Sequence, residues 1–201
     1  KTVSTSLARS TGRSYRHFNS LIDDFQKNQY ALDIASVNNH FIDLSEAPDT
    51  TRCSLFIRDP RDLIVSGYYY HKRGAEPWCK ITDPQPEDFE IVNGCIPTAL
   101  KPGESFQDCL NRLPVSDGLR AEIEFRTRHF DSLLKWMNQP PELVMKYEDI
   151  IGNEETAFRQ IGHFYGLNFA EVEFFVRQAV KNSVSMRGTT HVRNPKSGQY
   201  R

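Results

Sequence analysis

The stretch FIRDPRDLIVSGYYYHKR, residues 56–73, decides how this chain is expected to fold. It starts in the apolar strand SLFI at 54–57 and then places four charges and a proline before the sequence becomes apolar again. Pro60 and the apolar spacing after it predict a helix over 61–71, because proline is favoured in the first turn. A strand that leads into a helix indicates a parallel α/β sheet, whose ligands bind beyond the carboxyl ends of the strands. Arg58 is expected at such an end.

The rest of the chain continues this alternation of helices and strands. Apolar periodicity predicts further helices over 4–29, 116–138, 154–165 and 170–182, and strands over 30–34 and 142–147. The fold class is therefore α/β, with a mostly parallel sheet flanked by helices, in one domain over 1–201. The stretch 74–103 holds five prolines and no sustained period. We interpret it as an irregular loop, either a lid over an acceptor or a partly disordered segment.

Composition excludes some classes of partner. With 25 basic and 26 acidic residues in 201, the formal net charge is −1, which argues against a nucleic-acid binder that works through bulk charge. Any bound anion must therefore be held by local placement of Lys and Arg. No apolar run approaches the roughly 18 residues that cross a bilayer, so no membrane segment is expected in this chain.

The four cysteines do not form a disulfide framework at this chain length, which favours a cytoplasmic location and leaves the Golgi lumen open. Cys53 lies in an apolar strand and is expected to be a small core residue. Cys79, Cys95 and Cys109 share one irregular region, and a bridge among them stays open. Their spacing is not that of a zinc site, so no metal is expected.

Three separate segments combine hydroxyl and basic side chains. KTVSTSL at 1–7 offers one ammonium and several hydroxyls at the entry to a helix, where backbone N–H groups attract anions. In RDPRDLIVS, Arg58 ends the strand and Ser66 follows eight residues later. The tail RNPKSGQYR at 193–201 is basic and polar. Taken singly, these are also the patterns of a helix cap, a packed helix serine and a solvated tail.

Together with KYEDI at 146–150, these segments resemble the sulfotransferase family that uses 3′-phosphoadenosine 5′-phosphosulfate, over nearly the whole chain. Residues 1–7 resemble its 5′-phosphosulfate loop P-K-S-G-T-T-x-L, and FIRDPRDLIVSGYY resembles its 3′-phosphate element. Residues 193–200 resemble its C-terminal R-K-G-x-x-G-x-W. The resemblance implies a P-loop-like nucleotide-binding fold, with a strand ahead of residue 1 that lies outside this sequence. It also implies these donor-binding residues: Lys1, Thr2, Ser4, Thr5, Ser6, Arg58, Ser66, Tyr147, Arg193, Lys196 and Gly198.

The resemblance also suggests how the reaction proceeds. Cytosolic members use a His in a K-T-H-L-P segment as the base, and NNHFIDL places His40 at the matching position, eighteen residues before Arg58. Carbohydrate-modifying members use a Glu instead, which leaves Glu46 and Asp43 as alternatives. Lys1 is expected to neutralise charge on the leaving phosphate, as electrostatic stabiliser or general acid. The histidines expected on the surface or in packing are His17, His71, His129 and His163.

The predicted function is transfer of a sulfuryl group to a hydroxyl, or less favourably an amine, of a small molecule or carbohydrate. Certain aromatic residues are expected either to wall a pocket for an apolar or phenolic acceptor or to form a small core: Tyr68, Tyr69, Tyr70, Trp78 and Phe89. Two other classes stay open, and so does the oligomeric state. A kinase-like phosphotransferase would need the absent motif G-x-x-x-x-G-K-[ST]. A non-catalytic nucleotide-binding module is compatible with Val3, Asn194 and Pro195, which depart from the family motifs.

Overall fold

The computed structural model describes residues 2–186 and residue 198. In chain order its α-helices are α1 Thr2–Thr11, α2 Ile22–Asn28, α3 Pro60–Lys72, α4 Phe106–Arg112, α5 Val115–Phe125, α6 Thr127–Asn138, α7 Tyr147–Ile150, α8 Glu154–Phe164 and α9 Phe169–Met186. Its strands are β1 Tyr15–His17, β2 Ile34–Ser36, β3 Ser54–Ile57 and β4 Leu143–Lys146. Short 3₁₀ helices lie at Gln29–Ala31, Pro77–Lys80 and Pro86–Val92. Over the described part of the chain, no helix has the length and apolar character needed to cross a membrane.

The strands pair in parallel. β1 runs beside β2, with Tyr15 opposite Ile34. β3 runs beside β4, with Ile57 opposite Lys146 at the carboxyl ends of the two strands. The predicted α/β class with parallel strands is confirmed, although the strands of the described residues form two short sheets instead of one. The pairing of β3 with β4 sets the residues that follow Ile57 and Lys146 side by side.

The prediction of one long helix over 4–29 is wrong. α1 ends at Thr11 because Gly12 adopts a left-handed backbone with a φ of +66°, which glycine enters without a Cβ clash. The chain then forms β1 before α2 begins. Asp33 holds this turn, since its Oδ2 accepts hydrogen bonds from the backbone N–H and the hydroxyl of Ser14 at 2.9 and 2.6 Å. The next strand, β2, starts later than the sequence pattern predicts.

One core, the sheet core, lies between β4 and the helices α1, α8 and α9. Leu143 and Met145 alternate with exposed residues along β4 and contribute to this core. Their principal buried partners on the helices are Leu7, Phe158, Ile161, Val172, Phe175 and Val176. Burial of each such side chain stabilises the fold by about 1.5–3 kcal/mol. The sheet core therefore fixes α1, and the hydroxyl-rich start of the chain, against α9.

A second core, the aromatic core, brings together rings from α3, α4, α5 and the irregular stretch. Its large members are Tyr68, Trp78, Phe89, Phe106 and Phe125. Trp78 and Phe125 stack with their ring centroids 5.2 Å apart and an interplanar angle of 9°. Of the two roles left open for Tyr68, Trp78 and Phe89, the structure supports core packing, since all three are buried. The irregular stretch is thus built into the core, and these rings do not wall an acceptor pocket.

Four ionisable side chains run from the aromatic core towards α6. The Glu122 carboxylate is fully buried, and its oxygens accept hydrogen bonds from His71 Nδ1 at 2.7 Å and Arg126 Nε at 2.6 Å. Arg126 Nη1 in turn donates to His129 Nδ1 at 3.2 Å. Gly67 of α3 provides the space, because a Cβ there would lie 2.1 Å from Glu122 Oε1. The charges of Glu122 and Arg126 are therefore buried together with their partners.

The helix predicted over 116–138 is two helices. α5 ends at Phe125 and α6 begins at Thr127, with Arg126 between them at φ −91° and ψ 8°. The Arg126 backbone N–H is shared between the carbonyl oxygens of Glu122 and Ile123 at 3.2 and 3.0 Å, as is common where helices end. Arg126, whose side chain binds Glu122, is therefore also the residue at which α5 ends and α6 begins.

All four cysteines are free thiols. Cys79 and Cys109 are buried, and burial raises the pKa of Cys79 to about 12 and also raises the pKa of Cys109. Cys95 is half-buried. The bridge that the sequence left open among these three residues is therefore not formed in the structure.

Replacing Glu122 by Gln is expected to lower the free energy of unfolding by about 3–5 kcal/mol, because it leaves the Arg126 guanidinium buried without its carboxylate. Urea unfolding followed by circular dichroism measures this loss. Asp117→Asn on the same helix is the matched control, since its ion pair with Arg120 is exposed and such pairs contribute at most about 1 kcal/mol. Equal losses in the two variants would contradict the role of the buried charge.

Candidate functional site

Two residues meet where the paired strands end. Arg58 follows β3 and Tyr147 follows β4, and the parallel register sets these positions side by side. The guanidinium carbon of Arg58 lies 4.7 Å from the centre of the Tyr147 ring, which is a cation–π contact. Next to them the Asp59 backbone N–H donates to Glu148 Oε1 at 3.0 Å. This bond ties the start of α3 to α7, so the end of the sheet holds both ring and guanidinium in place.

The Arg58 guanidinium is partly buried, and two of its nitrogens have no hydrogen-bond partner among the described residues. Its Nε and Nη2 atoms are closed to solvent and have no hydrogen bond to any residue that the structure describes. A buried donor without an acceptor costs about 1–3 kcal/mol, and more when the group is charged. These two nitrogens form one edge of the guanidinium, the kind of fork that binds two oxygens of one anion. Arg58 is therefore suited to receive an anion.

A cavity of about 290 Å³ opens beside Arg58. Its walls come from β3, α6, α7, the start of α3 and the segment after β2. The polar residues among its lining are Asn39, His40, Arg58, His129, Ser132 and Tyr147. The others are apolar, and an apolar cavity with a few convergent polar groups is the usual form of a small-molecule site. We refer to it as the Arg58 cavity.

His40 borders the Arg58 cavity, so the structure brings the predicted base and the predicted phosphate ligand to one site. Its Nε2 lies 2.8 Å from the carbonyl oxygen of Ser20. A carbonyl oxygen only accepts, so Nε2 carries the proton and Nδ1 is the acceptor of the neutral ring. Burial lowers the pKa of His40 below its usual value of 6.5, Arg128 lowers it further, and Ser20 and Asp23 act against this. The ring is thus neutral near pH 7, as a general base must be.

His129 is a cavity residue that the helical pattern assigned only to surface or packing. Its Nε2 donates to the carbonyl oxygen of Val92 at 2.7 Å, while Nδ1 accepts from Arg126. The same carbonyl accepts from Asn39 Nδ2 at 3.4 Å. Burial lowers the pKa of His129 to about 4, and the charge of Arg126 adds to this effect. Because both of its nitrogens are engaged, His129 anchors the irregular stretch at the cavity and is unsuited to accept a proton.

Gly198, the described residue of the tail, contacts the first turn of α3. The Gly198 backbone N–H donates to Asp62 Oδ2 at 2.7 Å, and Asp62 is fully buried. Ser66 lies one turn after Asp62 and therefore on the same face of α3. Gly198 thus contacts the face of α3 that also carries Ser66, while Arg58 immediately precedes this helix.

The predicted hydroxyls of α1 lie elsewhere. Ser4 and Thr5 are half-buried, and Ser6 is fully buried. The hydroxyl oxygen of Ser6 accepts a hydrogen bond from Asn182 Nδ2 of α9 at 3.1 Å. Of the described residues, those of α1 do not line the Arg58 cavity. The structure therefore does not join these hydroxyls to Arg58 within one cavity.

The remaining predicted residues divide into two groups. Lys1, Arg193, Lys196 and the side chain of Thr2 lie outside what the structure describes. Asp43 and Glu46, the alternative bases, are exposed and do not border the Arg58 cavity. The backbone N–H of Ser45 binds the Asp43 carboxylate at 2.9 Å and lowers the pKa of Asp43. Of the three candidate bases, His40 is the one that the structure brings to this cavity. Among the described residues, His, Cys, Asp and Glu form no cluster suited to a metal ion.

Comparison with known proteins gives a family. A family model described as Sulfotransferase domain matches residues 49–197 of the 201. The matched range contains Arg58, Ser66 and Tyr147, and it begins after His40 and α1. Comparisons with curated proteins and with solved structures gave no match.

The free energy of unfolding is expected to fall as the pH drops from 6.5 to about 4, because of His129. Over this window the unfolded chain takes up a proton that the folded chain does not, so protons favour unfolding. The lowering of the His129 pKa from 6.5 to about 4 corresponds to roughly 3 kcal/mol in the free energy of unfolding. Urea unfolding of the wild type and of His129→Gln across this pH range measures it, and the variant should show the shallower fall. Parallel curves would contradict a pKa of about 4.

Proposed function

The chain belongs to the sulfotransferase domain family, and on that premise we propose that it moves a sulfuryl group from 3′-phosphoadenosine 5′-phosphosulfate to a hydroxyl. The observation that carries the choice of donor is the buried edge of Arg58, whose two nitrogens have no partner among the described residues. The 3′-phosphate of this donor offers the several charged oxygens that an arginine fork binds. Arg58 lies at the carboxyl ends of two parallel strands, the edge of an α/β sheet at which nucleotides bind.

The proposed donor site combines residues around the start of α3. Arg58, the Ser66 hydroxyl and Arg193 are assigned to the 3′-phosphate, and Lys196 and Gly198 are also assigned to the donor. Tyr147 contacts Arg58 and borders the cavity, where its ring can meet the adenine. The 5′ end is assigned to residues before and within α1: Lys1, Thr2, Ser4, Thr5 and Ser6. For Ser6, binding would require exchange of its hydrogen bond with Asn182.

His40 is the proposed general base, and Nδ1 is the atom that accepts the proton. The acceptor hydroxyl oxygen bonds to sulfur while the bond from sulfur to the bridging phosphate oxygen breaks, and that oxygen leaves with the electron pair. The hydroxyl proton moves to His40 Nδ1. The bond from Nε2 to the Ser20 carbonyl then stabilises the imidazolium. Lys1 is assigned to the charge on the departing phosphate, because charge stabilisation supplies most of the catalysis in such transfers.

The lining of the Arg58 cavity favours an apolar hydroxyl compound as acceptor. Phe130, Leu133 and Trp136 of α6 present rings and aliphatic groups to this space. His129 is held neutral there by burial, and both of its nitrogens already have partners. A phenol or an apolar alcohol would fill such walls, whereas a carbohydrate would leave many of its hydroxyls without hydrogen bonds.

Calorimetry with adenosine 3′,5′-bisphosphate, the desulfated donor, tests the choice of nucleotide. The bisphosphate should bind, adenosine 5′-phosphate should bind more weakly because it lacks the 3′-phosphate, and ATP should not compete. Tight binding of ATP without binding of the bisphosphate would overturn the proposal. Transfer of label from radioactive donor to a panel of phenols, alcohols and amines tests catalysis. Binding without transfer to any of them would make the chain a non-catalytic nucleotide-binding module.

Arg58→Ala is expected to weaken binding of the bisphosphate by about 2–4 kcal/mol, since it removes two donors to one phosphate. The same change should lower the free energy of unfolding without ligand by no more than about 1–2 kcal/mol, because the guanidinium loses its contact with the Tyr147 ring but two of its buried nitrogens have no hydrogen-bond partner among the described residues. Calorimetry and urea unfolding measure the two effects.

Arg61→Ala is the matched control for Arg58→Ala. Arg61 lies three positions later, its side chain is 62% exposed, and it pairs with Asp59 at 2.6 Å. Its loss should change the affinity for the bisphosphate by no more than about 0.5 kcal/mol, as for an ordinary surface residue. An unchanged affinity in Arg58→Ala would remove Arg58 from the donor site.

A further inference from the structure

His40 lies on a segment with little regular structure of its own. Residues 37–53, between β2 and β3, contain neither a helix nor a strand. Asn39 adopts a positive φ of 60°, so the chain turns sharply just before His40. The backbone here is not held by the ladder of a sheet or the bonds of a helix. Its position is set by hydrogen bonds to other parts of the chain, namely the bond of the Asn38 N–H to the Asn19 carbonyl at 2.5 Å and bonds from side chains of other elements.

One side chain of α6 binds the backbone of His40. Trp136 Nε1 donates a hydrogen bond to the carbonyl oxygen of His40 at 2.9 Å. Trp136 is 5% exposed, and its ring packs edge-on against Phe41 with centroids 4.8 Å apart. The same ring borders the Arg58 cavity. A single indole thus contacts residues 40 and 41 and also borders the cavity that His40 lines.

We propose that Trp136 is the positioning residue for His40: its indole N–H fixes the His40 carbonyl and thereby keeps the imidazole on the Ser20 carbonyl at the cavity. The inference rests on the proposed function, in which His40 is the base. Residue 40 is held at two points, its backbone by Trp136 and its Nε2 by Ser20. Loss of the first point leaves the His40 carbonyl without this donor, while Asn38 and Asn39 keep their own hydrogen bonds. The backbone of residue 40 itself can then shift relative to Ser20.

The inference has a consequence for the pKa of His40. Burial is the main cause of its lowered value. Arg128 of α6 also lowers the pKa, Asp23 of α2 raises it, and Arg58 and His129 border the same cavity. An imidazole released from Ser20 becomes hydrated, while these charged groups keep their places. Its pKa should then rise towards the usual value of 6.5, because hydration removes the largest cause of the shift.

Trp136→Phe tests the inference, because phenylalanine keeps an aromatic ring beside Phe41 and removes only the N–H donor. Titration of the His40 ring by NMR should show a higher pKa than in the wild type. The kcat for sulfuryl transfer should fall at least about tenfold, and by no more than the 10²–10⁴-fold that general-base catalysis contributes. The acid limb of the kcat profile should move to higher pH. The KM for the donor and the affinity for the bisphosphate should stay unchanged, and His40→Gln sets the floor for kcat.

Trp78→Phe is the matched control, since the chain has two tryptophans and Trp78 is also buried, in the aromatic core. It should leave both the pKa of His40 and the kcat unchanged. It also leaves Trp136 as the only indole, so its N–H resonance can be assigned directly. In that protein the Trp136 N–H resonance should shift as His40 titrates, a measurement that does not require Trp136→Phe to fold.

An unmoved pKa of His40 in folded Trp136→Phe overturns the inference, and so does a Trp136 N–H resonance that stays constant while His40 titrates. Neither readout needs the donor, so the two proposals fail separately. A shifted pKa with no sulfuryl transfer by the wild type supports the positioning by Trp136 and overturns the proposed function. Sulfuryl transfer by the wild type with no shift in the pKa of His40 in Trp136→Phe supports the proposed function and overturns the positioning by Trp136.

Discussion

The parallel pairing of β3 with β4 is the constraint on which the candidate site depends. Each strand has only four residues, and their register places Ile57 opposite Lys146. The next residues, Arg58 and Tyr147, are therefore neighbours, and the guanidinium lies over the Tyr147 ring. A shift of one residue in this register would send the side chains to the opposite face of the sheet and separate the pair. The backbone hydrogen bonds between these two short strands thus determine where the Arg58 guanidinium lies beside the cavity.

The molecule buries charge in two contrasting ways. Glu122 lies in the aromatic core with both oxygens bonded, to His71 and to Arg126, so its charge contributes to one defined packing of α3, α5 and α6. Arg58 is half-buried at the sheet end, and two of its donors are closed to solvent and meet no acceptor among the described residues. The first arrangement is complete within the fold. The second lowers the stability of the ligand-free chain, a cost that proteins retain where a ligand later supplies the missing partner.

The parts of the structure that follow local rules could be predicted from the sequence. The strand at 54–57, Pro60 after it and the spacing from Arg58 to Ser66 lie within one short stretch, and the strand, the helix and the position of Arg58 agree with the structure. Other features depend on contacts far apart in the chain. Apolar spacing predicted a helix that continues past Gly12, but this glycine ends α1 with its left-handed backbone. The spacing of apolar residues does not show where a residue adopts a positive φ.

The contacts that α6 makes beside the cavity could not be found in its sequence for a related reason. Its apolar stripe predicts a buried face, but periodicity does not say what that face covers. His129 reaches Val92 across 37 positions of the chain, and Trp136 reaches His40 across 96. Both look like ordinary helix residues until the irregular stretch and the segment after β2 are folded against them. The motifs predict the donor chemistry, whereas the contact of Trp136 with His40, the proposed base, joins residues far apart in the chain and could not be read from them.

The carbonyl of Val92 accepts hydrogen bonds from both His129 and Asn39, and Asn93 Nδ2 donates in return to the Asn39 carbonyl at 2.7 Å. The irregular stretch, α6 and the residue before His40 are therefore closed into one ring of contacts. Such a ring cannot open at a single hinge, because moving the stretch breaks its bonds to the histidine segment as well. Displacement of the irregular stretch from α6 and displacement of the segment that carries His40 are therefore expected to occur together, as one cooperative unit.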